Sequence, residues 1–276
     1  MKFTVLLCTY AKDNPAHLEE CLDSLISQTI LPSEILIVKD GPLPIELDGV
    51  IKSFPFEVQI ISLSAHQTLG LARAEGVKAA THDIIALMDS DDIALPNRFE
   101  LQLAELAKNP KIDILGGQIA EFNDNPAHAH AVRKVPLAHK DIAKLAKRRN
   151  PFNAMTVMFR KQAALEVGNF WYFPGFEDYD LWVRMIKNGA KCQNCEDILV
   201  YARTGSGMYS RRHGLNYIRH EWRMQRQLRS LNFIGKWRFM INIAARIPVR
   251  LLPKKLLEQV YIRLLRSRRQ GAVEEA

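Results

Sequence analysis

Three acidic side chains occur within four residues at positions 89–92, where Asp-Ser-Asp-Asp directly follows the apolar run 84–88. Unpaired carboxylates this close together repel one another, and a bound cation would offset that repulsion. Hard oxygen ligands suit Mg²⁺ or Mn²⁺, which proteins usually share with the phosphates of a substrate. The alternative is a solvated turn or a helix cap, above all for Asp92.

A second acidic pair, Glu177 and Asp178, lies in an aromatic stretch. A positioned carboxylate can accept the proton of a reacting hydroxyl group, which makes this pair a candidate general base. Asp180 is predicted to be a first-turn helix residue that the helix dipole favours. We expect two of the surrounding aromatic residues to belong to the site and the others to be core. These aromatic residues are Phe170, Trp171, Tyr172, Phe173, Phe176, Tyr179 and Trp182.

The elements that position these residues are short apolar runs alternating with amphipathic segments. This alternation predicts a Rossmann-like, mostly parallel sheet flanked by helices, an α/β fold. The predicted strands are 3–7, 34–38, 58–62, 83–88, 112–116, 156–159 and 198–202. The predicted helices are 18–26, capped by Asp13 or Asn14, and 70–80, 97–106, 141–147 and 179–188. Because ligands bind beyond the carboxyl ends of parallel strands, Thr9, Tyr10, Asp40 and the cluster 89–92 are expected on one rim.

The charge is unevenly distributed along the chain. Residues 203–276 contain 17 Lys and Arg against 4 Asp and Glu, whereas residues 1–202 contain 21 against 26. From residue 210 onwards the pattern predicts long basic helices, interrupted at Pro248 and Pro253. We therefore predict a domain over 1–209 and a basic amphipathic helical extension over 210–276, for which nucleic acid and an anionic membrane are candidate partners.

Cysteine content and hydropathy exclude other classes. The cysteines Cys8, Cys21, Cys192 and Cys195 do not make the dense framework of a small secreted domain. The CxxC spacing of Cys192 and Cys195 has no second ligand pair, so reduced thiols are predicted. The apolar runs are far shorter than the ~18 residues that a membrane-spanning helix needs. Together these features predict a cytoplasmic protein.

Six motifs follow the order seen in family 2 glycosyltransferases. They are Thr9-Tyr10, 24–29 (Ser-Leu-Ile-Ser-Gln-Thr), 34–41 (Glu-Ile-Leu-Ile-Val-Lys-Asp-Gly), 70–73 (Gly-Leu-Ala-Arg), 88–92 (Met-Asp-Ser-Asp-Asp) and 175–178 (Gly-Phe-Glu-Asp). The chain resembles the branch of this family that builds bacterial exopolysaccharide and lipopolysaccharide repeat units, including the amylovoran biosynthesis glycosyltransferases. The resemblance implies a GT-A fold that binds a nucleotide-sugar at the carboxyl ends of its first strands.

The resemblance also implies a role for each residue of the donor site. Thr9 and Tyr10 would line the nucleoside site, and Asp40 would contact the base or ribose. Arg73 would stabilise the base or phosphate side, while Asp89 would face the ribose and the donor sugar. The sequence departs from the family pattern at Lys39, where the family commonly has an acidic residue. Either Asp40 alone makes the nucleoside contact, or Lys39 adjusts the preference among donors.

Metal and catalytic roles follow from the same resemblance. Asp91 would be the direct ligand of a Mn²⁺ or Mg²⁺ ion that bridges the donor diphosphate, with Asp92 supporting that metal loop. Asp178 would be the base of an inverting direct displacement, and Glu177 would orient it or the acceptor. In the segment 210–213, Arg211 and Arg212 are candidates to clamp the diphosphate leaving group, with a surface helix start as the alternative.

The expected function is transfer of a sugar, galactose or another hexose, from a UDP-linked donor to a growing lipid-linked bacterial glycan. The acceptor would be carried on a polyprenyl diphosphate, with the enzyme peripheral on the inner face of the cell membrane and a homo-oligomer possible. A nucleic-acid-binding protein is the first alternative, although the tail has no recognisable binding motif. A sugar nucleotidyltransferase is the second, although a Gly-rich phosphate loop near the N-terminus is missing.

The membrane expectation depends on the tail, where cations are mixed with apolar residues as in an interfacial helix. Packing of the tail on the domain or on a second subunit is the alternative, because an amphipathic helix has the same pattern in either case. The cations expected to face anionic lipid are Lys236, Arg238, Arg246, Arg250, Lys254, Lys255, Arg263, Arg266, Arg268 and Arg269.

Overall fold

The structure is a computed structural model that describes residues 1–204, 214–251 and 267–268. Its first half contains β1 (Phe3–Thr9), α1 (Pro15–Ile26), β2 (Glu34–Lys39), α2 (Ile45–Ser53), β3 (Val58–Ser62), α3 (Leu69–Ala79) and β4 (Ile84–Asp89). The four strands are parallel and lie in the order β3-β2-β1-β4. The predicted strands and helices of this half are confirmed, and α2 is an additional helix that the periodicity did not predict.

The central strands are apolar on both faces because helices cover the sheet on both sides. Val5 and Leu7 of β1 belong to one hydrophobic core, whereas Leu6 between them belongs to the other. The predicted cap of α1 is present, since the Asn14 side chain accepts a hydrogen bond from the Ala16 N–H at 2.9 Å. These contacts hold the carboxyl ends of β1, β2 and β4 side by side.

The second half makes the sheet mixed and curled. It contains β5 (Ile93–Ala94), α4 (Arg98–Lys108), β6 (Ile114–Phe122), β7 (Ala131–Arg133), α5 (His139–Ala146), β8 (Met158–Arg160), α6 (Lys161–Glu166), α7 (Glu177–Lys187), β9 (Cys192–Arg203) and β10 (Ser267–Arg268). Strand β8 pairs antiparallel with β4 and β6, whereas β9 runs parallel to β6. The parallel arrangement predicted from the sequence therefore describes β1–β4, and antiparallel strands extend it.

A helical hairpin follows the sheet. Helices α8 (Leu215–Ser230) and α9 (Lys236–Leu251) are joined by a turn in which Asn232 has a φ of 52°. The predicted interruption at Pro248 is wrong, because Pro248 lies in the last turn of α9. The proline ring removes one helix hydrogen bond, and the carbonyl that loses it belongs to the exposed Ala244, where water can solvate it. Pro253 and the predicted boundary at 209–210 lie outside the described residues.

The hairpin packs on α7 rather than standing apart from the sheet domain. Met224 and Leu228 of α8 share a hydrophobic core with Tyr179 and Val183 of α7. The Asn242 amide on α9 donates to the Lys147 carbonyl at 2.9 Å. For residues 214–251, then, the structure shows a tail packed on the domain. None of the described helices is long and apolar enough to cross a membrane.

Candidate active site

A cleft of about 460 Å³ lies where β4, α3, the start of α7 and the helical hairpin meet. Asp89 at the end of β4 and Arg73 on α3 line it together with Glu177 and Asp178 of α7. The cleft therefore brings together two motifs that lie almost 90 residues apart in the sequence. Of the segment 89–92 Asp89 alone lines this cavity, whereas both members of the pair 177–178 do.

One rim of the sheet carries a small polar and aromatic group formed by Tyr10, Asp40 and His66. The buried Asp40 carboxylate accepts a hydrogen bond from the Gln67 backbone N–H at 2.7 Å and contacts His66 Nδ1 at 2.9 Å. The His66 ring stacks on the Tyr10 ring, with 5.5 Å between the centroids. The two rings can contact a planar base, and the carboxylate can accept a hydrogen bond from a base or a ribose.

The strand ends bring this group together. The Asp40 N–H donates to the Thr9 carbonyl at 2.8 Å, which ties the end of β2 to the end of β1. Gly41 has a φ of 92°, and a side chain there would bring its Cβ within 2.7 Å of the His66 backbone nitrogen. The Thr9 hydroxyl is buried with no hydrogen-bond partner among the described residues. His66 belongs to no motif identified in the sequence. It lies beside Asp40 because of the path of the loop that precedes α3.

Lys39, which departs from the family pattern, faces α2. Its ammonium group pairs with the Asp48 carboxylate. Hydrogen bonds from Lys39 and Lys52 lower the pKa of Asp48 to about 2. In this structure the Lys39–Asp48 ion pair anchors α2 to the sheet.

The buried Arg73 and the partly buried Asp89 form an ion pair in the cleft. Arg73 Nη2 donates to Asp89 Oδ1 at 2.5 Å. Burial alone would lower the pKa of Arg73, but the nearby carboxylates of Asp89, Asp178 and Glu177 outweigh it, and the pKa is raised. Arg73 therefore stays cationic and fixes the orientation of the Asp89 carboxylate.

The three carboxylates of the segment 89–92 face different surroundings. Asp92 is only 3% exposed, and its Oδ1 accepts the Arg203 backbone N–H at 2.8 Å, which ties this loop to the end of β9. Burial, with the charges of Asp91 and Asp89, raises the pKa of Asp92 well above its usual value. Asp91 is exposed. Asp92 is thus the buried member of the segment that ties it to β9, and Asp91 is the solvent-exposed member.

Within residues 1–204, 214–251 and 267–268, no three His, Cys or acidic side chains converge on a point that could hold a metal. The segment is therefore not a complete protein cage for a cation. A carboxylate such as that of Asp91, completed by phosphate oxygens of a substrate, is the donor set that these residues fit.

Glu177 and Asp178 begin α7 and are held differently. Asp178 Oδ2 accepts a hydrogen bond from the Asn150 amide at 2.7 Å, and its Oδ1 accepts the Tyr179 N–H at 2.7 Å. The pKa of Glu177 is raised, mainly by burial and to a smaller extent by the negative charge of Asp178. Asn150 orients the candidate base, and the only signal for it in the sequence was the Asn-Pro break that ends the segment 148–151.

Two of the seven aromatic residues around this pair, Phe176 and Tyr179, line the cleft. Phe170 and Trp182 pack edge to face in the core with 6.0 Å between centroids. The exposed Trp171 ring receives the Arg184 guanidinium at 4.5 Å. The cleft therefore has aromatic residues next to the acidic pair, and of these the Tyr179 side chain is almost fully buried.

Helix α9 contributes to the cleft two arginines that the sequence analysis expected at the membrane surface. Arg246 and Arg250, expected among the membrane-facing cations, line the cleft instead, together with Arg149 and the Tyr217 ring. The reason is the packing of the hairpin, which turns this face of α9 towards α7. Arg211 and Arg212, expected to clamp a diphosphate, lie outside the described residues.

The cysteines are free thiols in the structure. Cys192 and Cys195 are buried on β9, and burial raises the pKa of each to about 12. Both side chains therefore serve the core.

Comparisons with known proteins identify relatives of this chain. The chain is 40% identical over 269 residues to an uncharacterized glycosyltransferase of Haemophilus influenzae, covering 97% of this chain and 100% of that protein. It is 34% identical to the amylovoran biosynthesis glycosyltransferase AmsE of Erwinia amylovora (94% and 97% covered). It is 36% identical to the UDP-Gal:alpha-D-GlcNAc-diphosphoundecaprenol beta-1,3-galactosyltransferase of Escherichia coli (96% and 97% covered).

Solved structures share the fold. Staphylococcus aureus TarS 1-349 in complex with UDP-GlcNAc superposes with a TM-score of 0.66 at 16% identity, covering 96% of this chain and 73% of TarS 1-349. A Pyrobaculum calidifontis mannosyltransferase in complex with GDP-Man and Mn²⁺ superposes with a TM-score of 0.62 at 14% identity, with 95% and 80% covered. Residues 4–168, which include β1–β4, match the family model for glycosyl transferase family 2. With this match and these relatives, the chain belongs to glycosyl transferase family 2 and is a glycosyltransferase with the GT-A fold.

Proposed function

We propose that this glycosyltransferase moves a hexose, with galactose as the first candidate, from a UDP-sugar to a lipid-linked glycan by inverting displacement. The observation that carries the proposal is the single cleft in which Asp89 and Arg73 face Glu177 and Asp178. The 36% identical galactosyltransferase of E. coli supports the choice of donor and acceptor class. A place in bacterial surface polysaccharide synthesis follows from the same relatives.

The donor is proposed to lie along the rim and into the cleft. Its uracil and ribose contact Tyr10, His66 and Asp40, with the buried Thr9 hydroxyl available for a hydrogen bond. Asp89, held by Arg73, faces the ribose and the donor sugar. This arrangement places the anomeric carbon inside the cleft, between the donor rim and α7.

The acceptor hydroxyl attacks from the side of α7. Asp178 takes the hydroxyl proton as the new bond to the anomeric carbon forms and the bond to the diphosphate breaks, which inverts the anomeric configuration. Asn150 keeps the receiving carboxylate in place, since its amide bonds Asp178 Oδ2 at 2.7 Å. Glu177, whose pKa is raised mainly by burial, lies next to Asp178 and orients that carboxylate or the acceptor.

A divalent cation, Mn²⁺ or Mg²⁺, is proposed as cofactor, with the exposed Asp91 as its protein ligand and Asp92 as the support of the loop. When bound, such an ion neutralises charge on the departing diphosphate. The mannosyltransferase neighbour is in complex with Mn²⁺, in keeping with this donor set.

The test is a panel of nucleotide-sugars offered to the purified protein with GlcNAc linked through diphosphate to a lipid. We expect transfer from UDP-galactose, with the product's anomeric configuration inverted in its NMR coupling constants. A product of retained configuration would contradict the displacement by Asp178. Transfer from another nucleotide-sugar alone would contradict galactose.

A further inference from the structure

One wall of the cleft is basic and comes from the helical hairpin. Arg246 and Arg250 of α9 both reach Glu221 of α8, at 2.8 Å and 3.3 Å respectively. The Glu221 carboxylate is fully buried, yet the two arginines it contacts line the open cleft. A buried carboxylate is costly unless it is paired and hydrogen-bonded, and here it holds two guanidinium groups in place.

Other contacts set the orientation of these guanidinium groups. The second amino group of Arg246 donates to the Arg148 carbonyl. The Arg250 guanidinium lies over the Tyr217 ring at 4.6 Å. Planar guanidinium groups held this way suit the oxygen atoms of a phosphate, which they can bind through two parallel hydrogen bonds.

The basic wall adjoins the candidate base. Arg246 is anchored to the carbonyl of residue 148, Arg149 lines the cleft, and Asn150 bonds Asp178. Three consecutive residues thus connect the arginines of α9 to the carboxylate that would receive the acceptor proton. The donor end of the cleft has a different arginine, Arg73, which is bonded to Asp89.

We propose that Arg246 and Arg250, together with Arg149, form a subsite for the diphosphate group of the acceptor. This inference rests on the proposed function, in which the acceptor sugar is attached to a diphosphate. With its hydroxyl at Asp178, the acceptor sugar spans the cleft, and the phosphates on its anomeric carbon meet the basic wall. Glu221 acts as a positioning residue for this subsite.

The experiment compares two acceptors that carry the same sugar, one on a diphosphate-linked alkyl chain and one on an uncharged alkyl chain. For Arg246→Gln we expect the acceptor KM to rise about 10- to 100-fold with the diphosphate acceptor, the range for a charge-assisted hydrogen bond. The KM for the donor and the efficiency with the uncharged acceptor stay unchanged. Arg229→Gln, the same change on the exposed face of α8, leaves every constant unchanged.

A binding measurement keeps the test independent of turnover. Inorganic diphosphate is titrated calorimetrically into protein whose donor site is saturated with UDP and Mn²⁺. We expect binding to the unmodified protein and at least tenfold weaker binding to Arg246→Gln. If that variant fails to fold, Arg149→Gln replaces it in both measurements. The same titration is repeated in the presence of anionic vesicles that carry as much negative charge as the added diphosphate. If the vesicles abolish diphosphate binding, the basic wall binds lipid headgroups, and the proposal is overturned.

The outcomes separate this inference from the proposed function. Equal use of both acceptors by the unmodified enzyme, or a parallel rise of the donor KM in Arg246→Gln, overturns the acceptor subsite and leaves glycosyl transfer standing. Absence of transfer to either acceptor overturns the proposed acceptor class, and the calorimetric comparison then decides whether the basic wall binds diphosphate.

Discussion

At the scale of single residues, Asp178 is the proposed general base, so its substitution tests the mechanism most directly. Asp178→Asn keeps the shape and one acceptor for the Asn150 amide, but an amide cannot take the acceptor proton. We expect turnover at saturating substrates to fall by roughly 10²- to 10⁴-fold while donor affinity is retained. Steady-state kinetics and donor calorimetry check this. A variant within about threefold of the unmodified enzyme would shift the base to another carboxylate, Glu177 first.

Asp91 belongs to the same scale, because its exposed carboxylate is the proposed metal ligand. Asp91→Ala should abolish Mn²⁺-dependent donor binding without lowering the melting temperature, since removing one of three neighbouring carboxylates relieves repulsion in the metal-free protein. Calorimetry with UDP-galactose measures the loss, and the unmodified protein with EDTA serves as the reference. Unchanged donor affinity in the variant would refute the assignment.

Glu177 makes stability depend on pH. Its pKa is raised in the folded protein, so folding takes up a proton at pH values between the unfolded pKa and the folded one, and stability falls as the pH rises through that window. We expect Glu177→Gln to raise the melting temperature at pH 8 and to change it little at pH 4. Thermal unfolding at the two pH values tests this. An equal shift at both would mean that burial of the charged carboxylate carries no penalty.

At the scale of elements, the approach of α3 to the start of α7 shapes the cleft. A Cβ on Gly70 would lie 2.4 Å from the Trp171 carbonyl oxygen and 3.1 Å from Glu177 Cβ. Gly70→Ala should therefore separate the two helices, destabilise the protein by about 1–3 kcal/mol and lower turnover. Denaturant unfolding and kinetics measure both effects.

Gly49 offers a matched control on α2, because nothing lies within 4 Å of a Cβ built there. Gly49→Ala should stabilise the protein by about 0.5–1 kcal/mol through helix propensity alone and leave turnover unchanged. Equal behaviour of the two alanine variants would show that close packing at Gly70 does not hold the site.

At the scale of the whole molecule, the two faces of helix α9 have different surroundings. The inner face of α9 lines the cleft, whereas Trp237, Met240 and Ile241 on its outer face are 83%, 53% and 54% exposed. Their i, i+3, i+4 spacing makes an apolar stripe, flanked by Lys236 and Arg238. We propose that this stripe, with its cations, rests on an anionic membrane surface, which would bring the cleft to a lipid-linked acceptor.

Replacing Trp237, Met240 and Ile241 together by serine should reduce co-sedimentation with anionic liposomes at least tenfold, with the melting temperature nearly unchanged because the side chains are exposed. Each basic residue near such a surface adds about 1 kcal/mol, so salt should weaken the binding of the unmodified protein. Equal sedimentation of variant and unmodified protein would refute the membrane face.

Truncation after Leu231 tests how far the site depends on the packing of α9. It removes Asn242, whose amide bonds both the Lys147 carbonyl and Gln225, and it removes the cleft wall at Arg246. Because α9 packs on the domain, we expect the truncated chain to lose acceptor use together with membrane binding. Point substitutions therefore separate acceptor binding from membrane binding better than the truncation does.

The sequence by itself determined the first half of the sheet and the order of the motifs along it. Strands such as 34–38 are continuous apolar runs, and the helix at 18–26 repeats its apolar residues every three or four positions, so local periodicity is enough to predict both. The carboxyl-end rule then placed Asp40 and Asp89 on one rim. Each of these inferences needs only neighbouring residues and the chirality of parallel strands.

Only the tertiary structure decided which distant residues complete the site. The contacts of His66 with Asp40, of Asn150 with Asp178 and of Glu221 with Arg246 join segments that no local pattern relates. The sequence shows that α9 is amphipathic, but packing decided that its arginines face a cleft and its tryptophan faces solvent. A helix of this composition lowers its free energy by burying one face against any apolar partner, so the partner is set by the folded surface and not by the periodicity.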